Sequence, residues 1–180
     1  MSNTSIVNST STNGNGGAVL LGLESTLRVG KSSRFTSNKA VGASGGAIAC
    51  TECKISSVGS IFIGNTAKKN GGAIHSYQGD WTSTGDRFEE NSAISGSGGA
   101  LSMTASGVHF DATTTCQNNR AINGGGGCLL WESEAKNIDD VKWKLFKPNI
   151  NNMRLIRNNK ALFGPALATP GVSLRIVNLT

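Results

Sequence analysis

The fold of this chain is decided by the stretch Phe62-Ile63-Gly64-Asn65-Thr66-Ala67-Lys68-Lys69-Asn70-Gly71-Gly72-Ala73-Ile74, because it is one copy of a unit that recurs along most of the sequence. In each copy an Asn follows an aromatic or apolar residue by three positions, and a small residue followed by an aliphatic one comes later. The Asn recurs at positions 38, 65, 91, 119 and 159, in steps of 27, 26, 28 and 40. Such a period indicates stacked repeats, and the long step indicates an insertion of about a dozen residues.

The unit is predicted to be built from strands. A helical unit would need apolar residues three and four positions apart over ten or more positions, and no copy shows that pattern. Short apolar or alternating runs bounded by Gly, Asn and Ser, as at residues 47–50, 56–63 and 173–177, predict strands and turns. Several short strands in each unit of about 27 residues predict an all-β parallel β-helix, a solenoid, of about five to six coils.

Stacking gives each repeated residue a role, because equivalent residues of successive coils lie about 4.8 Å apart. Stacked Asn amides can hydrogen-bond to one another along the axis, and Gly pairs suit a bend or a close backbone approach. The three predicted inward ladders are aliphatic (Val19, Ile48, Ile74, Leu101, Leu129, Leu167), mainly aromatic (Phe35, Phe62, Phe88, Cys116, Ile156) and amide (Asn38, Asn65, Asn91, Asn119, Asn159).

Two tetrapeptides, Phe-x-x-Asn and Gly-Gly-Ala-aliphatic, alternate in phase, for example as Phe35-Thr36-Ser37-Asn38 followed by Gly45-Gly46-Ala47-Ile48. Over about residues 14–168 this pattern resembles the repeat of the polymorphic membrane protein (Pmp) family of bacterial outer-membrane autotransporters. The resemblance implies a right-handed parallel β-helix that is displayed at a surface and used in adhesion. The chain departs from the pattern where Cys116 and Ile156 replace the Phe.

Composition and charge agree with an exported module. The 180 residues include 24 Gly and carry a net charge of +6, with Lys and Arg scattered through the predicted turns. No stretch of these residues is long and apolar enough to span a membrane, and the first residues lack the charged and apolar regions that are typical of a signal peptide. We expect an extracellular or cell-surface fragment that lacks caps and continues into further coils, with a polar lead-in at residues 1–15, repeats at 16–180 and an inserted loop at about 131–154.

The insertion is the predicted ligand-binding segment, since a loop that leaves a regular solenoid often does the binding. Its predicted contacts are Lys142, Trp143, Lys144 and Phe146, because aromatic and basic side chains suit sugar rings and anionic groups. The expected partners are host-cell or matrix glycans or proteins, and no nucleic acid is expected. A neutral insertion is the alternative, because loop closure costs little per added residue.

The four Cys allow three disulfide pairings, of which Cys50 with Cys53 is the first choice. Cys50-x-x-Cys53 lacks the second close pair of a zinc ribbon, so no metal is predicted. Cys116 and Cys128 occupy inward ladders and are interpreted as packing residues.

Enzymes on the same fold are the rival class, because many parallel β-helices are polysaccharide lyases or hydrolases. Catalysis there would need carboxylates in register, and Asp86, Glu89, Glu90 and Asp111 are out of register. His75 stands at a variable position that is interpreted as outward-facing. The sequence therefore predicts a non-catalytic surface-displayed or secreted module for adhesion or structural display, without a cofactor. The alternatives are a carbohydrate-active enzyme and a passive stalk spacer.

Overall fold

In a computed structural model the chain forms a stack of parallel coils; each of the first five coils contributes one strand to each of four sheets, and the described part of the sixth contributes strands to two of them. The structure describes residues 2–111, 113–133, 148–149 and 155–169. Within these residues all regular elements are strands, and they make about five turns of a β-solenoid. The predicted all-β parallel solenoid is therefore confirmed.

The strands are numbered in chain order and fall into sheets A to D. Sheet A contains β1 (Ser5–Val7), β5 (Arg34–Thr36), β9 (Ile61–Ile63), β13 (Arg87–Glu89), β17 (Thr115–Gln117) and β21 (Leu155–Arg157). Sheet B contains β2 (Thr10–Ser11), β6 (Lys39–Ala40), β10 (Thr66–Ala67), β14 (Ser92–Ala93) and β18 (Arg120–Ala121). Sheet C contains β3 (Val19–Leu21), β7 (Ile48–Thr51), β11 (Ile74–Tyr77), β15 (Leu101–Thr104), β19 (Leu129–Glu132) and β22 (Leu167–Ala168). Sheet D contains β4 (Thr26–Val29), β8 (Lys54–Val58), β12 (Asp80–Thr84), β16 (Gly107–Phe110) and β20 (Pro148–Asn149).

The register follows the sequence repeat. Phe62 pairs with Phe35 on one side and Phe88 on the other, and Ile74 pairs in the same way with Ile48 and Leu101. All strand pairs are parallel, including β7, β11, β15 and β19, which the phase of the repeat predicts to be neighbours. Because a slip of one residue would turn every apolar side chain outwards, the alternating pattern itself holds this register.

Residues 5–11, placed in the polar lead-in by the sequence analysis, belong to the first coil. Ile6 pairs with Phe35 and Thr10 pairs with Lys39, so β1 and β2 continue sheets A and B. At the other boundary β19 runs as far as Glu132, and Trp131 is a core residue rather than part of a loop.

The core is a narrow apolar column along the axis, with a run of aromatic rings at its centre. Phe62 stacks on Phe35 and on Phe88 with both centroid distances at 4.9 Å. Trp81 meets Phe88 edge to face at 5.3 Å and 82°. Offset stacks and edge-to-face pairs of this kind add about 0.5–1.5 kcal/mol beyond the burial of their area.

The two residues of a Gly pair have different structural roles, as Gly71 and Gly72 show. Gly71 has φ +66°, a left-handed conformation that side chains rarely adopt. A Cβ on Gly72 would overlap the carbonyl oxygen of Gly99 and the backbone of Ser92 in the next coil. The first Gly therefore makes the bend, and the second lets adjacent coils pack backbone to backbone.

Candidate functional site

The four residues predicted to bind a ligand, Lys142, Trp143, Lys144 and Phe146, lie outside the described residues. In chain order the insertion that carries them comes between β19 of sheet C and β20 of sheet D. Trp131 at its edge is buried, and its Nε1 donates to the backbone oxygen of Ser106 at 2.9 Å. Trp131 thus anchors the start of the insertion and is not available as a contact.

The structure brings the five predicted asparagines together in one ladder. Asn65 donates its backbone N–H and its side-chain Nδ2 to Oδ1 of Asn91, both at 3.0 Å. Its Nδ2 also donates to the backbone oxygen of Phe35 at 2.9 Å, and its Oδ1 accepts two bonds from Asn38. Both side-chain donors and both acceptor positions are used, and Asn65 is 0% exposed. The same pattern continues through Asn119 and Asn159, so these amides hold coils together and are not available to a ligand.

A second polar ladder escaped the sequence analysis. The side-chain oxygens of Asn15, Ser44, Asn70 and Ser97 each accept a backbone N–H from the next coil, at 2.9–3.2 Å. The signal was present in the sequence, because a residue with a short polar side chain stands directly before the Gly pair in four successive copies. These bonds also have a structural role.

Asp86 is a buried carboxyl at the turn from sheet D to sheet A. Its oxygens accept bonds from the Ser57 hydroxyl, from the Ser83 hydroxyl at 2.6 Å and from the Ser60 N–H at 2.7 Å. Burial raises the pKa of Asp86 above its ordinary value, and the hydrogen bonds from Ser57, Ser83 and Ser60 offset part of that rise. Trp81 Nε1 donates to Ser57 Oγ at 3.0 Å, which joins this network to the aromatic core.

His75 alternates along β11 with the buried Ile74 and Ser76 and lies outside the core cluster, which agrees with an outward-facing position, although the position is partly covered. His75 is half-buried, and its column neighbours Ala49 and Ser102 are buried. The column is covered because the segments carrying the Gly pairs lie against it; a Cβ on Gly98, for example, would be 2.9 Å from Ser102 Cβ. Burial lowers the pKa of His75 from 6.5 to about 4, and a hydrogen bond with Ser102 opposes this shift.

All four cysteines are paired. Cys50 is bonded to Cys53 across the turn between β7 and β8, with Cα atoms 5.7 Å apart. Cys116 is bonded to Cys128, with Cα atoms 6.0 Å apart, and joins sheet A to the start of sheet C across the core. Spacing and ladder positions had suggested packing alone for Cys116 and Cys128. The pairing could not be predicted because spacing alone does not show that sheet A, with Cys116, and the start of sheet C, with Cys128, face each other across the core.

The carboxylates of the described residues form no cluster. No group of three or more His, Cys, Asp or Glu side chains in these parts of the chain could hold a metal ion. Glu24 and Glu52 occupy equivalent turn positions of adjacent coils, since Glu24 N–H donates to the Glu52 carbonyl at 2.9 Å. This register was missed because the sequence analysis compared only the later acidic residues.

A cationic depression lies at the bend between sheets A and B in two adjacent coils, the fifth, which begins with β17, and the sixth, which begins with β21. Its volume is about 540 Å³, and it is open to solvent. Arg120 and Lys160 pair in parallel register, are both exposed, and form no ion pair with any described residue. The lining consists of Asn118, Asn119, Arg120, Asn158, Asn159 and Lys160. Side chains for polar recognition are thus gathered at a place that sequence reasoning did not single out.

Comparison with known proteins supports one resemblance. The model of the Chlamydia polymorphic membrane protein (Chlamydia_PMP) repeat matches residues 59–77, which span β9, β10 and β11. The match confirms the resemblance to the Pmp repeat, which is known from surface-associated β-helix proteins. No curated protein and no solved structure matches the chain. The described part of the chain contains no helix that is long and apolar enough to cross a membrane.

Proposed function

We propose that this chain is a non-catalytic, surface-displayed β-solenoid module that recognises other molecules through its outer columns and its insertion. The observation that carries this proposal is a contrast between inner and outer columns. The inward Asn column is uniform from Asn38 onwards, whereas the outward column of sheet B reads Thr10, Lys39, Thr66, Ser92, Arg120 and Lys160. A scaffold with a fixed interior and a variable surface suits recognition.

Two further observations support surface display. The matched repeat belongs to a family of surface-exposed outer-membrane autotransporters. Both disulfides, Cys50–Cys53 and Cys116–Cys128, also fit an oxidising compartment outside the cytosol. An extracellular or cell-surface location, and adhesion to host-cell or matrix glycans or proteins, are therefore part of the proposal.

Two surfaces are candidates for the contact. The first is the insertion, with Lys142, Trp143, Lys144 and Phe146 as its proposed contacts. The second is the cationic depression at Arg120 and Lys160. The depression lies at the bend from sheet A to sheet B, whereas the insertion follows sheet C, so the two surfaces can be altered independently.

The test is binding of the purified, fluorescently labelled chain to cultured animal cells, matrix proteins and an array of glycans. Deletion of residues 136–147 and the double substitution R120E/K160E are compared with the unaltered chain. Saturable binding that one of these changes removes supports the proposal and assigns the surface. Absence of binding to every target indicates a passive spacer, and release of reducing sugar ends from a polysaccharide indicates an enzyme.

A further inference from the structure

We propose that the cationic depression binds an extended anionic polysaccharide, with Arg120 and Lys160 contacting its carboxylate or sulfate groups. The inference rests on the proposed function, because it names a ligand class for one of the two candidate surfaces. It is argued from the cations, the amides, the shape of the depression and the charges around it.

The two cations need a counter-charge. Arg120 and Lys160 are direct cross-strand neighbours, and such neighbours have Cα atoms about 4.8 Å apart. Like charges directly opposite each other repel, and no described carboxylate pairs with either side chain. An anionic group between them would remove the repulsion and would receive charge-assisted hydrogen bonds from both.

Amide groups on the same wall suit sugar hydroxyls. Asn118 and Asn158 are exposed, have φ of 57° and 55°, and line the depression at equivalent positions of adjacent coils. Asn119 and Asn159 beside them are tied into the Asn ladder by a bond of 3.0 Å. The wall is thereby fixed before a ligand arrives, which lowers the ordering cost of binding.

The shape and lining favour a polysaccharide over a nucleic acid or a small anion. The depression is open, and none of the described residues that line it has an aromatic side chain on which a base could stack. Its donors come in equivalent positions one coil apart, an arrangement that matches a polymer with repeated polar groups. An enclosed pocket, by contrast, would be expected for a small ligand.

Two described acidic residues, Glu89 and Glu90, lie one coil before the depression. Glu90 lies one coil before the depression, and its N–H donates to the Gln117 carbonyl at 3.3 Å. Glu89 is already engaged, because it forms an ion pair with Arg87 at 3.2 Å and accepts a bond from Gln117 at 3.0 Å. Glu90 is therefore the described carboxylate that would oppose an anionic ligand at this end.

The test is isothermal titration of the full chain with heparin fragments of defined length, with neutral dextran and a short DNA duplex as comparison ligands. The double variant R120E/K160E is expected to bind heparin at least about tenfold more weakly, corresponding to about 1.4 kcal/mol. The matched control K68E/K69E makes the same change in net charge at exposed lysines of the third coil and is expected to change the affinity by less than about threefold. E90Q removes the opposing carboxylate and is expected to tighten binding.

The proposal is overturned if heparin does not bind, if both double variants weaken binding equally, or if the DNA duplex binds more tightly than heparin. Circular dichroism and thermal midpoints equal to those of the unaltered chain show that a variant is folded. If heparin fails while saturable binding to cells persists, the polysaccharide inference is wrong and the recognition function stands. If the chain binds to none of the cells, matrix proteins or glycans, both the polysaccharide inference and the recognition function are wrong.

Discussion

Asn65 and Asn91 are 26 residues apart in the sequence, yet the Asn91 side-chain oxygen accepts two hydrogen bonds from Asn65, one from the backbone and one from the side chain. The Asn91 amide also donates to the backbone oxygen of Phe62 and to the side-chain oxygen of Asn119, so one amide ties its coil to the coils on both sides. The arrangement is repeated from Asn38 to Asn159 and defines the axis of the stack.

Replacement of Asn65 by Ala should lower the free energy of unfolding by about 1–3 kcal/mol, because buried partners lose their hydrogen bonds. The partners left behind are the N–H groups of Asn38 and the carbonyl of Phe35. Thr66→Ala, at the next and only half-buried position, is the matched control and should stay within about 0.5 kcal/mol. Denaturant titration measures both, and equal midpoints would contradict the ladder's role.

Substitution can separate a Gly that is needed for close packing, Gly72, from one that only makes a bend, Gly64, which lies outside the Gly pairs. Gly72→Ala should cost more than about 3 kcal/mol or prevent folding, because its Cβ would overlap backbone atoms of the next coil that cannot move aside. Gly64→Ala should cost only about 1 kcal/mol, because Gly64 has φ +64° but no atom within 3.6 Å of its Cβ position. Thermal midpoints measure the order of the two effects, and the reverse order would contradict this account.

The repeat predicted the fold because its period and its inward ladders are properties of the sequence alone. Phe62 and Asn65 show this, since their equivalents could be aligned without coordinates and lie in register in the structure. The cationic depression could not be predicted in this way. Arg120 and Lys160 are 40 residues apart, across the insertion, and only the stacking of the coils makes them neighbours.

The partial burial of His75 could not be predicted for a related reason. Alternation along β11 puts His75 on the outer face, but the bend at Gly71 lies against the start of the same strand, where a Cβ on Gly71 would be 3.0 Å from the His75 backbone nitrogen. Which loop lies over which strand depends on the path of the chain between sheets B and C, and the two-residue period of a strand carries no information about that path.

The stability of the chain should fall as the pH drops from about 6.5 towards 4, in part because of His75. Its folded-state pKa of about 4 lies below the unfolded value of 6.5, so in this range the unfolded chain binds more protons than the folded one. His75→Gln should reduce the slope of stability against pH in this window. His109→Gln, at an exposed position, is the control, and an unchanged slope in the His75 variant would contradict the assignment.

Asp86 should act in the opposite direction. Because burial raises its folded-state pKa, its contribution to stability is present at pH values below the unfolded value of 3.8 and is lost as the pH rises through the raised pKa. Asp86→Asn keeps an acceptor for the Ser60 N–H and carries no charge, so its stability relative to the unaltered chain should increase from pH 3 to pH 7. Urea titrations followed by the fluorescence of Trp81 and the other two Trp residues measure this difference, and a decrease over the same range would contradict it.

The two disulfides should differ in their contribution to stability because they close loops of different length. Cys116–Cys128 has a sequence separation of 12 and Cys50–Cys53 one of 3. The chain-entropy relation gives about 3 kcal/mol for the longer loop and about 1.5 kcal/mol for the shorter one. C116A/C128A should therefore lower the midpoint of denaturation more than C50A/C53A. The comparison is matched, because each variant replaces two buried cysteines by alanine.

Mass spectrometry after alkylation of the unfolded, unreduced chain should show no modified thiol. Alkylation of Cys116 and Cys128, or equal midpoints for the two variants, would show that the link across the core does not form or does not constrain the fifth coil.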